Sequence, residues 1–317
     1  MKLLDDRQIL ALALPDELID AIEHAFASPF GAPQRMHCHL PGDDNATLLI
    51  MPAWQSRSEL GVKIATVVPD NSVKGLPTIN GIYLLLDGDT GIPQAILDAP
   101  ALTALRTAAV SAVASRHLSR PDAQSLLLVG TGALIPHLAR AHAAVRPLER
   151  IMIWGRNPDK ARRAADMLSG VADRIEAVSD LARHVAKADI ISCATLSRVP
   201  LVEADWVVPG THIDLVGSFA PDMREADSDL FARGRLVVDT QTALRESGDL
   251  IEPLRRGHIA DPAVDLAALL GDARLGRRHD ADITIFKSVG TGLADIAAAR
   301  YLLAKSEAAN RTMEVQA

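Results

Sequence analysis

Between Leu126 and Gly132 the chain reads L-L-L-V-G-T-G, a continuous apolar run that stops at two glycines, and an Ala-, Leu- and His-rich segment follows. A buried parallel strand that turns into a helix N-terminus presents backbone N–H groups to a pyrophosphate. Gly130 allows the tight turn, and Gly132 lets the backbone approach phosphates with no Cβ in between; Thr131 and Ala133 complete the loop. The third small position of this fingerprint falls on Ile135, followed by Pro136, which predicts a weaker helix–strand contact there. A second apolar run, R-I-M-I-W (150–154), leads into Gly155–Arg156–Asn157–Pro158. In such a unit the second strand ends at the adenosine ribose, where an acid selects NAD and an arginine accommodates a 2′-phosphate. Residues 154–157 hold no carboxylate. Arg156 and Asn157, with Lys160 and Arg162 in support, therefore predict NADPH as the preferred cofactor, with NADH tolerated. Thr195, after the apolar run Ile190–Cys193, is expected at the adenine or ribose edge.

These residues need elements to hold them. At 317 residues the chain is too long for one ordinary core and fits two domains. A content of 48% hydrophobic and 23% charged residues describes a globular protein, and a net charge of −7 argues against a general nucleic-acid binder. The N-terminus carries acids where a signal peptide needs its apolar core, and no apolar run is long enough to span a bilayer. Cys38 and Cys193, far apart, give no disulfide framework, so a reducing cytoplasmic setting is expected. His37 and His39 flank Cys38, but alternation along a strand puts the histidines on one face and the thiol on the other, so no metal site is expected.

Residues 5–27 read as helices, the second opened by Pro15–Asp16–Glu17. Short strands follow at 35–40, 46–52 and 61–68, separated by turns at 41–44 and 56–59, and then a hairpin of 82–86 with 92–98. A helix over 102–118 leads into the glycine-loop strand. Beyond it strands alternate with helices, at 175–178, 190–193, 212–216, 236–239 and 283–286, and an Ala-rich helix starts near Leu293. The predicted fold is α/β: a Rossmann-type doubly wound parallel sheet over 120–290, inserted into a smaller mixed α+β domain made of 1–119 and 291–317. Exposed sheet edges in the smaller domain lead us to expect a homodimer.

Several segments together resemble the ornithine cyclodeaminase/mu-crystallin family. They are Arg35 before L-L-I-M-P-A-W (48–54), G-V-K-I-A-T-V-V-P-D-N (61–71), D-G-D-T-G-I-P (87–93), L-T-A-L-R-T-A-A-V-S-A (102–112), the glycine loop, V-G-S-F-A-P-D-M-R-E-A-D (216–227) and F-K-S-V-G-T-G (286–292). The resemblance implies a nicotinamide cofactor, a homodimer and small α-amino or α-imino acid substrates. It carries a carboxylate clamp onto Arg35, Lys63 and Arg106, and places Thr78, with Asn80 less firmly, near the substrate. Physics supports the clamp, since a guanidinium fork fits a carboxylate and a lysine adds a compact charge. Lys63 sits inside an apolar strand, where an unpaired ammonium is costly, and Arg106 inside an apolar helix.

The resemblance also places Val216, Ser218 and Lys287 at the cofactor, with Ser218 touching nicotinamide or substrate. Lys63, Arg106 and Ser218 form the expected catalytic set. Cyclodeaminases of the family carry an Asp where this chain has Gly217–Ser218–Phe219. Phe219 can neither pair an ammonium nor move a proton, so it is read as the wall of a small pocket, with Asp214 or Asp222 as the acids that could replace the missing one. The wording is most similar to the ketimine reductase branch. It implies reduction of Δ1-pyrroline-2-carboxylate to L-proline, with the six-membered homologue, reduced to L-pipecolate, also a candidate. Alanine dehydrogenase, ornithine cyclodeaminase and non-catalytic NADPH-binding roles are the rivals.

Overall fold

The computed structural model describes residues 1–33, 35–40, 43–55 and 59–316. Two compact units emerge, Met1–Thr107 with Thr291–Ala317, and Ala108–Gly290.

The first unit opens with β1 (Lys2–Leu4), α1 (Asp6–Leu12) and α2 (Pro15–Phe26). Asp5 and Gln8 form a reciprocal capping box on α1, and Pro15 starts α2 with Asp16 and Glu17 in its first turn. Next come β2 (Met36–Leu40), β3 (Asp43–Gln55), β4 (Glu59–Val67), β5 (Ile79–Asp87) and β6 (Pro93–Asp98), followed by α3 (Ala99–Leu118). The six strands make one sheet in the order β1-β6-β5-β4-β3-β2, with β1 parallel to β6 and every other pair antiparallel. The sequence gives no hint of β1. Three residues are too few to show a period of two, and the register comes from β6. The expected turns at 41–44 and 56–59 fall partly outside the described residues.

Alternation along the strands divides the sheet into two faces. Met51, Ala53, Gly61, Lys63, Ala65, Tyr83, Leu85, Ala95 and Leu97 are buried on one of them. The C-terminal helix of this unit, which starts at Gly292, packs against α2, β3, β4 and β5. The opposite face carries Ile50, Val62, Ile64, Ile82 and Leu84 in cross-strand register, with Ile64 and Ile82 exposed. Pro52 lies past the residues of β3 that pair with β2, where a missing N–H is tolerated.

The second unit contains β7 (Ser125–Val129), α4 (Ile135–Val145), β8 (Arg150–Trp154), α5 (Pro158–Asp166), β9 (Arg174–Val178), α6 (Leu181–Val185), β10 (Ile190–Cys193), β11 (His212–Leu215), α7 (Leu230–Arg233), β12 (Gly234–Val238), α8 (Ala243–Glu246), α9 (Gly248–Arg255), β13 (Val264–Asp265), α10 (Leu266–Gly271) and β14 (Ile283–Lys287). The helix α11 (Gly292–Gln316) then completes the first unit. All eight strands are parallel, in the order β13-β12-β14-β11-β10-β7-β8-β9. The near-continuous apolar runs follow from burial on both faces. Strand order reverses between β7 and β10, the switch point at which sheets of this kind open a ligand crevice.

One boundary differs from the sequence expectation. It falls inside α3, between Thr107 and Ala108, and not after residue 119. The second half of the helix is bound into the parallel-sheet unit: Ser111 donates to Asp214 at 3.0 Å, and Arg146 donates to the Ser115 and Ser119 carbonyls at 2.9 and 3.0 Å.

Candidate active site

The parallel-sheet unit shapes a dinucleotide platform at the C-terminal ends of β7 and β10. Gly130 has φ 134°, and a Cβ there would stand 2.6 Å from the Ala194 carbonyl oxygen, so only glycine lets the two strand ends approach. At Gly132 a Cβ would meet nothing within 4 Å. The first turn of α4 has no side-chain cap, since its N-cap position is Leu134. Open space over the loop and a helix N-terminus without a side-chain acceptor suit an anion. Ile135, the departure from the fingerprint, is fully buried and packs near Gly130, so the contact expected to be weak is instead an apolar one.

A carboxylate that sequence reading missed ties this platform together. Glu225 accepts from the Thr195 N–H at 2.6 Å and from the Gly217 N–H at 2.7 Å, joining the chain ends that leave β10 and β11. Gly217 cannot be larger, because a Cβ would lie 2.1 Å from the Thr195 carbonyl oxygen. Asp249 in turn accepts from the Glu225 and Ala226 N–H groups at 2.7 and 3.1 Å. Burial, with the Asp249 charge adding to it, pushes the Glu225 carboxyl up to about 7 against the opposing pull of Lys287. The signal available in sequence was an acid in a motif that also carries Met223 and Arg224, which looks like an ordinary surface turn.

Two residues expected at the cofactor have their side chains engaged inside the unit. Lys287 is completely buried and pairs with Asp249 at 3.5 Å, so its ammonium is an internal counter-ion for the acidic pair and not a ligand for a dinucleotide. Ser218 is also completely buried. Its hydroxyl bonds the Met223 carbonyl and Ser247 Oγ and accepts from the Asp249 N–H, which turns it away from nicotinamide or substrate and out of the catalytic set. Val216 is buried beside it. Arg156 is exposed in the turn after β8, whereas the Asn157 side chain caps α5 by accepting from the Asp159 and Lys160 N–H groups. Arg162 is engaged with Asp159. Phe219 is 48% exposed. Of the acids that might replace a carboxylate at that loop, Asp214 is locked in the core among Ser111, Ser192 and His142, and Asp222 pairs with Arg198 at the surface.

The antiparallel unit contains the residues expected to form a carboxylate clamp. Lys63 Nζ lies 2.8 Å from Asp295 Oδ2, and Arg106 Nε donates to Asp295 Oδ1 at 2.8 Å. All three side chains are buried. Lys63 also reaches Thr103 Oγ1 at 3.5 Å. Among the described residues, neither terminal nitrogen of Arg106 has a hydrogen-bond partner. Arg35 lies one residue before β2, on the extension of a register that would set it opposite Met51, the cross-strand partner of Lys63. Its charge acts on the ammonium. Burial lowers Lys63 to about 8, with Arg106 and Arg35 adding to the fall and Asp295 resisting it. Burial alone would raise Asp295, but Arg106 and Lys63 outweigh it and hold the carboxyl below its usual range. The Tyr83 hydroxyl, beside Lys63 in register, is buried without a described partner and is pushed up by burial and by the Asp295 charge.

Thr78 sits five residues before Tyr83, roughly 17 Å along extended chain, and no described contact joins it to the triad. The Asn80 amide serves its own turn by donating to the Pro77 carbonyl. Asp295 is the second residue that sequence reading missed. A lone acid in the first turn of an Ala-rich helix looks like a dipole partner, and only the fold brings it to two cations. Among the described residues no group of His, Cys, Asp and Glu could hold a metal.

A Rossmann-type parallel sheet with a glycine-loop platform in one unit and a cluster of buried cations in the other define an α/β protein of the oxidoreductase kind. The chain belongs to the ornithine cyclodeaminase/mu-crystallin family, whose model matches residues 2–310. It is 43% identical over 267 residues to Protein SAR DEFICIENT 4 of Arabidopsis thaliana, an alignment covering 81% of this chain and 82% of the relative. It is 40% identical over 265 residues to a Δ1-pyrroline-2-carboxylate reductase of Paracoccus denitrificans, covering 82% and 84%. Among solved structures it superposes on the Thermococcus litoralis Δ1-pyrroline-2-carboxylate reductase in complex with NADH and L-proline, with TM-score 0.91, 32% identity and 98% of both chains covered.

Proposed function

We propose that the protein reduces a cyclic ketimine carboxylate, Δ1-pyrroline-2-carboxylate or its six-membered homologue, to L-proline or L-pipecolate, with NADPH preferred over NADH. The observation that carries this reading is the buried Lys63–Asp295–Arg106 triad, which holds an ammonium of lowered pKa next to a guanidinium whose terminal nitrogens have no described protein partner. The relatives named for the same reaction support it.

A bound nicotinamide supplies the hydride for C2 of the imine. The loop Gly130–Thr131–Gly132–Ala133 and the N-terminus of α4 would hold its pyrophosphate, Thr195 the adenine or ribose edge, and Arg156 a 2′-phosphate. The remaining work belongs to residues of this chain. Arg35 and the terminal nitrogens of Arg106 fix the substrate carboxylate, which places C2 and the imine nitrogen. Lys63 delivers a proton from Nζ to that nitrogen. An ammonium near pKa 8 is still charged at neutral pH and gives up its proton more readily than an ordinary lysine. Phe219 supplies no carboxylate, so ring closure of a diamino acid lacks its acid. The apolar sheet face of Ile50, Val62, Ile64, Ile82 and Leu84 supports a homodimer. We place the enzyme in the cytoplasm, where its two free cysteines stay reduced.

The test is oxidation of NADPH and of NADH against pyrroline-2-carboxylate, piperideine-2-carboxylate, pyruvate with ammonia, and L-ornithine. Reduction of the cyclic imines is expected, with no ammonia released from ornithine. Robust ammonia release, or turnover of pyruvate alone, would overturn the reading.

A further inference from the structure

Lys63, Arg106 and Asp295 are buried together in the antiparallel unit. Lys63 on β4 and Arg106 on α3 each pair with Asp295 on α11, Arg35 ahead of β2 acts on Lys63 through its charge, and the Tyr83 hydroxyl on β5, which also feels the Glu59 charge, lies beside Lys63 in register. Each oxygen of Asp295 takes a different cation: Oδ2 lies 2.8 Å from the Lys63 ammonium and Oδ1 accepts from Arg106 Nε at 2.8 Å. Taking the inner Nε of Arg106 leaves the two terminal nitrogens as the donors available to a ligand carboxylate. We propose that Asp295 is a positioning residue that divides the cations by task, keeping the Lys63 ammonium protonated as the proton source while leaving the terminal nitrogens of Arg106 to the substrate carboxylate. The proposal rests on the reductase reading given above and extends it to a residue that does not touch the substrate.

The electrostatics decide why a carboxylate is needed. Burial and two neighbouring cations all lower the affinity of Lys63 for its proton, and Asp295 is the charge that opposes them. In its absence the cheapest relief is loss of the Lys63 proton, which leaves no donor for the imine nitrogen. That relief restores the same net charge of two positive groups around the substrate carboxylate. Asp295→Asn should therefore lower kcat by about tenfold or more at pH 8 while KM for the imino acid stays within about threefold, a split that follows from one proton lost at constant charge. The basic limb of the kcat/KM profile should move toward acid by about one pH unit or more. Asp295→Glu, which keeps the charge, should recover most of the wild-type profile.

A readout that does not depend on turnover separates this idea from the reductase reading. Titration of the Lys63 ammonium by NMR on protein labelled with 15N at lysine Nζ, assigned with Lys63→Arg, should show a midpoint near 8 in the wild type and a lower one in Asp295→Asn. Arg106→Met should raise the midpoint, because it removes a like charge, and it decides the matter if Asp295→Asn does not fold. Unchanged midpoints in these variants, or equal losses in kcat and KM with an unshifted basic limb, would reduce Asp295 to a structural ion-pair partner and overturn the proposal. If the midpoints move as expected but no cyclic imine is reduced, the reductase reading falls while the hold of Asp295 on Lys63 stands.

Discussion

Arg156 stands exposed in the turn after β8, with no acid at 154–157, and the proposed preference for NADPH rests on that one guanidinium. Arg156→Ala should erode the advantage of NADPH over NADH chiefly through the cofactor KM, by about 1.5–3 kcal/mol if a charge-assisted bond to the 2′-phosphate is lost. Steady-state kinetics with both cofactors measure it, and equal efficiencies in the wild type would remove the claim. Phe219→Asp tests the departure from the cyclodeaminase pattern. It should weaken imine reduction, and an ammonia assay with ornithine should detect trace release at most, since one residue rarely rebuilds a site. At this scale the sequence was legible wherever a charge interrupted an apolar run, as at Lys63 and Arg106. It was illegible where a polar residue looked at home. Asp295 and Glu225 drew no reading at all, and Ser218 and Lys287 were expected at the cofactor, because burial and partner choice are decided by other segments.

At the scale of elements, the chain ends leaving β10 and β11 are held by one carboxylate. Glu225 has a folded-state pKa of about 7 against 4.5 when free, so its proton is retained in the folded protein after the unfolded chain has lost it. The stabilisation this provides is fully present below pH 4.5 and is lost as the pH rises through 7. Glu225→Gln lacks that titration but also loses one of two N–H bonds. Its thermal midpoint should sit well below the wild type at pH 5 and recover relative to it by pH 8, with a change on the order of 2 kcal/mol in the difference. Parallel melts at several pH values decide it, and a gap that does not vary with pH would mean that Glu225 stays ionised throughout. The parallel strands and the glycine loop were plain in the sequence, because burial on both faces writes long apolar runs. The edges were not: β1 borrows its register from β6, and β3 begins earlier and ends later than its apolar stretch.

At the scale of the whole molecule, the apolar sheet face predicts association. Ile64→Lys together with Ile82→Lys places like charges on adjacent strands of that face and should convert a dimer to a monomer in sedimentation velocity. An unchanged dimer would move the interface elsewhere. The boundary inside α3 lay beyond sequence, since a uniform helix carries no mark where its packing partners change. The discontinuity of the antiparallel unit also orders the birth of the protein. Its first 107 residues leave the ribosome with β3, β4 and β5 lacking the helix that covers them, and with Lys63 and Arg106 lacking their acid. The intervening unit, contiguous from 108 to 290, has all its strands before α11 is made and can close first. A chain halted at Gly290 should therefore show protease resistance over 108–290 and ready cleavage within 1–107. Adding α11 in trans as a peptide should restore protection to both its own length and the waiting sheet.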